Sequence, residues 1–235
     1  MTPGQLVHAV AIALDVPEET VTQHDRNLVI AGLRTKGGRG RAAPHVTPLD
    51  AARVLVATLG SIRAVDSVQV LRAYESMYYK PSDWDEITIH GRKEKRGPLA
   101  QLFSAWIRAY PLKHNFVEVV AQLIKLASEP IADLETFAKE FAPYNIACSS
   151  DRASIKYVEE FFPFRPQPFP NPADERGKRR YGIRQQRDIP GTAIMLLGRA
   201  FRENGLNYSS TKEALDEWFG EEPAKKSTRV RKGAA

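Results

Sequence analysis

Between Leu6 and Ala43 the chain reads LVHAVAIALDVPEETVTQHDRNLVIAGLRTKGGRGRAA, and the spacing of its apolar residues leaves it few ways to fold. Leu6, Val7, Val10, Ala11 and Leu14 recur at i, i+1, i+4, i+5 and i+8, which lines one face of a helix. Asp15-Val16-Pro17 interrupts that helix. Pro17 suits the first turn of a second one, where its missing N–H costs nothing, and Glu18 and Glu19 sit near its positive end. Val21, Leu28, Val29 and Leu33 continue the apolar face, and Gly32 supplies a C-cap. In this frame Thr22, Gln23 and Arg26 point away from the core.

The next segment sets this apart from a generic helical hairpin. Arg34, Lys36, Arg39 and Arg41 lie among Gly37, Gly38 and Gly40 with no acid between them. Glycine lets a backbone approach a phosphate closely, and arginine pairs with phosphates or enters a narrow minor groove. A flexible solvated loop is the plainer reading; the helix just before favours contact with DNA.

On these residues the stretch from about Gly4 to Gly60 resembles the helix-turn-helix family, in its winged or basic-loop form. The family pattern is a small residue, a glycine four positions on, an apolar residue next, and a β-branched residue in the second helix. Ala11, Asp15, Val16 and Val21 occupy those places. Asp15 departs from the glycine, although aspartate tolerates a left-handed backbone better than most residues. The form is also similar to small regulators of prophages and their bacterial hosts. Arg39-Gly40-Arg41 resembles the centre of an AT-hook, with Ala42 where the hook has proline. The resemblance implies a DNA-binding transcriptional regulator whose second helix enters the major groove. Gln23 would read adenine, Arg26 guanine or a phosphate, and Thr22 a thymine methyl or a phosphate. Arg34, Lys36, Arg39 and Arg41 would hold the adjacent backbone or minor groove. The expected partner is double-stranded DNA, with a homodimer reading two half-sites about 10 bp apart. A phage-type DNA-packaging or assembly component, and a protein-interaction module whose helix pair is only structural, are the rival readings.

Composition agrees with this without requiring it. Among 235 residues, 34 Lys and Arg face 28 Asp and Glu, a net charge of +6 that suits a polyanionic partner. Cys148 is the only cysteine, which excludes an intrachain disulfide and points to a reducing, cytoplasmic setting. No apolar run approaches the roughly 20 residues that a bilayer requires. His8, His24, His45, His90 and His114 lack metal-ligand spacing, and the glycines lack a Gly-Lys-Ser/Thr ending, so neither an enzyme nor a cofactor is expected.

The fold class expected is mainly α with a small β-hairpin component (α+β). It divides into a DNA-binding domain over 1–61, a mainly helical oligomerisation or partner domain over 62–220, and a disordered basic tail over 221–235. Thr47-Pro48 begins a helix that runs to Leu59 and packs behind the first two. Ala64–Tyr79 reads as another helix, and packing accounts for Tyr74, Tyr78 and Tyr79 better than base stacking does. Trp84–His90 alternates like a short strand. Arg92, Lys93, Lys95 and Arg96 form a hairpin tip on DNA or a solvated loop. Pro98–Ala109, Asn115–Ala127 and Ile131–Phe141 read as helices of a bundle or of a self-association surface. Ala153–Phe164 reads as a strand, paired with a second over Tyr181–Ile189. The basic run Arg176–Arg187 between them is a further nucleic-acid contact or a surface loop. Pro190–Asn204 and Ser210–Phe219 read as the last helices, with Cys148 a small buried residue.

Overall fold

The first helix, α1 (Pro3–Leu14), starts where Thr2 caps it. The Thr2 hydroxyl accepts from the Gln5 N–H, and the Gln5 carboxamide oxygen accepts from the Thr2 N–H at 2.7 Å. The same reciprocal device, which satisfies two otherwise orphaned N–H groups, opens two more helices. Thr47 and Asp50 open α3 (Pro48–Gly60), and Asn115 and Glu118 open α5 (Phe116–Ser128). Between α1 and α3 lies α2 (Glu18–Ile30). The computed structural model describes residues 1–36, 45–79, 106, 113–129, 144–149, 152–157, 160–166, 187–206, 208–210 and 213.

After α3 a 3-10 turn (Ala64–Asp66) leads into α4 (Ser67–Glu75). The single helix expected over Ala64–Tyr79 is therefore corrected. The chain leaves the helix at Ser76, and Met77–Tyr79 forms strand β1. Its partner is β4 (Glu160–Pro166), where Tyr79 lies opposite Phe164. Four strands complete one antiparallel sheet in the order β1-β4-β3-β2-β5, with β2 (Tyr144–Ser149), β3 (Arg152–Tyr157) and β5 (Arg187–Pro190). The segment Ala153–Phe164, expected as one strand, is a hairpin whose ends face each other in register. The strand expected over Tyr181–Ile189 is described only as β5, and it pairs with β2, which the sequence did not announce. The protein is mainly helical with an antiparallel sheet, an α+β fold. Its last described helix, α6 (Gly191–Glu203), follows β5 directly and ends on Asn204 in the left-handed region.

Layering follows from which helices are apolar all round. From Leu6 to Ala13 only His8 in α1 escapes full burial, and α1 is packed by α2, α3 and α6. α5 buries Phe116, Val119, Val120, Leu123 and Ile124 completely, between α3 and α6. Ile146, Cys148 and Ile189 supply the inner face of the sheet. One hydrophobic cluster runs from Met1 to Tyr208, so the boundary expected at residue 61 falls inside a shared core. His8 adds a polar tie across it, with Nε2 at 2.9 Å from the Tyr208 carbonyl.

Trp106, helical and half-buried, stacks on His114 with ring centroids 4.6 Å apart. The rest of the expected helix over Pro98–Ala109 lies outside the described residues. So do the strand at Trp84–His90, the basic cluster at 92–96, the helix over Ile131–Phe141, the basic run over 176–186 and the tail from 221. No helix among the described residues is long and apolar enough to cross a membrane.

α5 and α6 approach closely at Gly198, where a Cβ would lie 2.6 Å from the Ala127 carbonyl oxygen and would also meet the Ala127 Cβ. Gly198→Ala should therefore destabilise the fold by about 1–3 kcal/mol in urea unfolding through overpacking. An exposed helix position would respond the other way, gaining about 1 kcal/mol. A stabilised variant would show that α5 and α6 do not approach this closely.

Candidate nucleic-acid interface

The turn between α1 and α2 takes the shape that the sequence asks of it. Asp15 adopts φ 52° and ψ 48°, the left-handed conformation, and its N–H is directed at the Ala11 and Ile12 carbonyls. Val16 N–H also donates to the Ala11 carbonyl, at 3.1 Å. Asp15 thus does the conformational work of a glycine with a residue that enters this region at modest cost. Ala11 and Val21 are buried on the two sides of the turn, and Val16 is half-buried between them. Pro17 stands one place earlier than expected, as the residue that caps α2 rather than in its first turn, and its carbonyl accepts from Thr20.

α2 has a sharply divided surface. Val21 and Leu28 are fully buried, and His24 and Asp25 are nearly so. On the opposite side Glu19, Gln23, Arg26 and Ile30 are exposed, a helical stripe three to four residues apart. Gln23 and Arg26 therefore project outward as expected. Thr22 is half-buried, and its hydroxyl donates to the Glu18 carbonyl at 2.9 Å, so it offers only a methyl group and acceptor lone pairs.

Arg34 does not belong to this surface. It is 6% exposed, and its guanidinium lies against the Asp25 carboxylate, Nη2 donating to Oδ2 at 2.6 Å and Nε in ionic contact with Oδ1. Nη1 donates to the Thr35 carbonyl. A side chain folded inward in this way has no fork left for a phosphate, which corrects its expected role in DNA contact. The planar guanidinium fork matches carboxylate geometry, which suits arginine to a buried ion pair. Around this pair a wider polar staple holds the end of α2. The Asp50 carboxylate accepts from the N–H groups of Thr35 and Thr47, and Arg53 donates to the Leu33 carbonyl and to Glu75.

A second clamp holds the middle of α2. The Asn27 carboxamide donates to the Ala64 carbonyl at 2.6 Å, and that carbonyl also accepts from the Ser67 hydroxyl. With its proton committed there, Ser67 accepts from His24 Nδ1, 2.7 Å away. α2 is thus fixed against the turn that precedes α4.

Charge along α2 is uneven. Its first turn carries the exposed carboxylates Glu18 and Glu19, which favour helix formation but repel a phosphate. Positive charge collects toward the other end, at Arg26 and then at exposed Lys36. Arg39 and Arg41 lie outside the described residues. The surface beside α2 also holds what sequence reasoning missed. Ile30, Ile62 and Val65 are 78%, 72% and 72% exposed. Val65 follows Ala64, the residue that Asn27 grips, and Ile62 lies two positions before it. Ile30 was detectable, because it falls on the stripe of Gln23 and Arg26 rather than on that of Leu28.

The tyrosines divide otherwise. Tyr74 and Tyr79 are buried, Tyr74 tilted against Phe116 at 5.7 Å, so neither presents a face to a base. Cys148 is buried, and that burial pushes its thiol far up, which leaves it without thiolate character. No three His, Cys, Asp or Glu side chains converge among the described residues in a way that would hold a metal. Comparison with known proteins finds no matching family model, no similar curated protein and no similar solved structure.

Burial pushes the Asp25 carboxyl up, the hydrogen bond and charge of Arg34 pull it back, and Asp50 adds a lesser upward push. Arg34→Met removes the only two downward influences and should cost about 3–5 kcal/mol at neutral pH, as broken buried pairs do. The folded carboxyl of the variant then keeps its proton to higher pH than the unfolded one, whose pKa is about 3.9. Stability must fall as pH rises between those two values, so the deficit should shrink as pH drops from about 7 toward about 4. Urea unfolding across that range checks this, and a pH-independent deficit would contradict the buried pair.

Proposed function

We propose that this protein is a sequence-specific, double-stranded DNA-binding transcriptional regulator that reads its site with α2 and the basic segment beyond it. The observation that carries this is the left-handed Asp15 in a three-residue turn between two packed helices, with Gln23 and Arg26 projecting together from the second. Gln23 has the two-pronged amide that matches adenine N6 and N7, and Arg26 the fork that matches guanine O6 and N7. Thr22 offers its methyl to thymine. Lys36, Arg39 and Arg41 would neutralise phosphates without reading sequence. Glu18 and Glu19 make the N-terminal turn of α2 a poor neighbour for the backbone, so the approach is anchored from the Arg26–Lys36 end. In this reading the protein acts in the cytoplasm as a homodimer on paired half-sites and performs no chemistry of its own.

One observation favours a second reading. Three large aliphatic side chains exposed beside α2 are unusual for a surface meant only for a polyanion, and they would suit a protein partner.

Selection of bound sequences from random duplex DNA at two salt concentrations separates the two. Gln23→Ala should relax base preference at one position of the site, at a cost of about 1–3 kcal/mol. Arg39→Ala should weaken binding on every sequence and lower the salt slope by about one. If the wild-type chain binds no duplex even at low salt, the DNA reading fails and the protein-partner reading gains.

A further inference from the structure

Ile62 and Val65 stand on the link between α3 and α4, and Ile30 ends α2; all three are exposed. Asn27 joins the two segments. Its carboxamide holds the Ala64 carbonyl at 2.6 Å, and Ile30 follows one helical turn later on the exposed stripe of α2. Together the three side chains present roughly 400 Å2 of apolar surface, a size that on a lone chain often marks a function. A standard interface takes about 800 Å2 from each partner, about 56–65% of it apolar. These three residues therefore supply most of the apolar part of one such face.

The charges on the same link say what kind of partner fits. Arg63 follows Ile62, and Asp66 follows Val65. The Arg63 guanidinium donates from Nε and Nη2 to the two Asp66 oxygens, at 3.0 and 3.2 Å, while its side chain stays exposed. The link thus carries one charge of each sign and none in excess. A polyanion gains little from a cation already paired beside aliphatic groups, and a partner of a single sign meets as much repulsion as attraction. A surface of this composition matches itself. A two-fold axis brings each Arg63 to the partner's Asp66 and each Asp66 to the partner's Arg63, with no charge left unmatched, while aliphatic groups close on aliphatic groups.

We propose that Ile30, Ile62 and Val65 dock a second copy of this chain, through the same patch on both protomers. Gln23 precedes Ile30 by two helical turns, about 10 Å along α2, and stays outside the seam. The pairing supplies a surface for the homodimer of the DNA reading and does not depend on DNA contact.

The test is sedimentation velocity of the full chain without DNA, from about 1 to about 100 µM, the range in which a small interface associates. The wild type should pass from monomer to dimer across that range. Val65→Asp should weaken the dimer roughly tenfold or more, because it takes a charge into an apolar seam. Its melting temperature at the monomeric end should stay close to that of the wild type, as expected at an exposed position. Arg63→Glu and Asp66→Arg should each weaken self-association, the first by placing acids opposite acids and the second cations opposite cations. An equimolar mixture of those two variants should restore the dimer, because each then meets its opposite. A wild-type chain that stays monomeric to about 100 µM, a dimer indifferent to Val65→Asp, or a mixture no more dimeric than its two components would each overturn the assignment. Since no duplex is present, such a failure leaves the DNA reading to the selection experiment above.

Discussion

α1 is hydrophobic nearly all the way round, and a helix of that kind is stable only inside something. Leu6, Ala9 and Val10 have no exposure at all, and Ala11, Ile12 and Ala13 almost none. α2, α3 and α6 all pack against it. The N-terminal helices therefore cannot be a separate reading head on a tether. They share a core with a helix that begins at Gly191, and the bond from His8 to the Tyr208 carbonyl closes the same arrangement at the surface. The outward face of α2 owes its fixed direction to this burial, since Val21 and Leu28 have nowhere else to go.

Where hydrophobic burial stops, a polar staple takes over. Asp25 and Arg34 are expensive to take out of water, and their charge pairing together with the Nη2–Oδ2 hydrogen bond offsets that cost. Asp50 serves twice, capping α3 through Thr47 and holding the Thr35 N–H after α2. Arg53 reaches from α3 to the Leu33 carbonyl and to Glu75 on α4. These bonds fix the point from which the chain departs toward the glycine-arginine segment. They also make α2, α3 and α4 one rigid support, so that Gln23, Arg26 and Lys36 keep their relative positions.

Local signals in the chain were enough for much of this. The period of Leu6 to Leu14, the cap at Thr47 and the outward bias of Gln23 and Arg26 are all properties of a few consecutive residues. So is the left-handed turn, because aspartate is among the few non-glycine residues that enter that region readily. Each of these follows from backbone sterics or from helix geometry, and neither needs a distant partner.

The rest was settled between residues far apart. Met77–Tyr79 has no local reason to be a strand; it becomes one because Phe164 and Pro166 offer a free edge. The break between β3 and β4 is invisible in a run of β-branched and aromatic residues, since a hairpin and a long strand share that composition. Arg34 sits in a basic run and reads as a DNA contact, yet Asp25 lies nine positions before it in the chain, and the turn that follows Ile30 folds the pair together. Charge sign and spacing alone determined that a helix would be followed by a positive segment. Only the tertiary structure decided that Arg34 turns inward while Lys36 faces water, because the energy of a buried ion pair depends on where its partner stands and not on charge pattern.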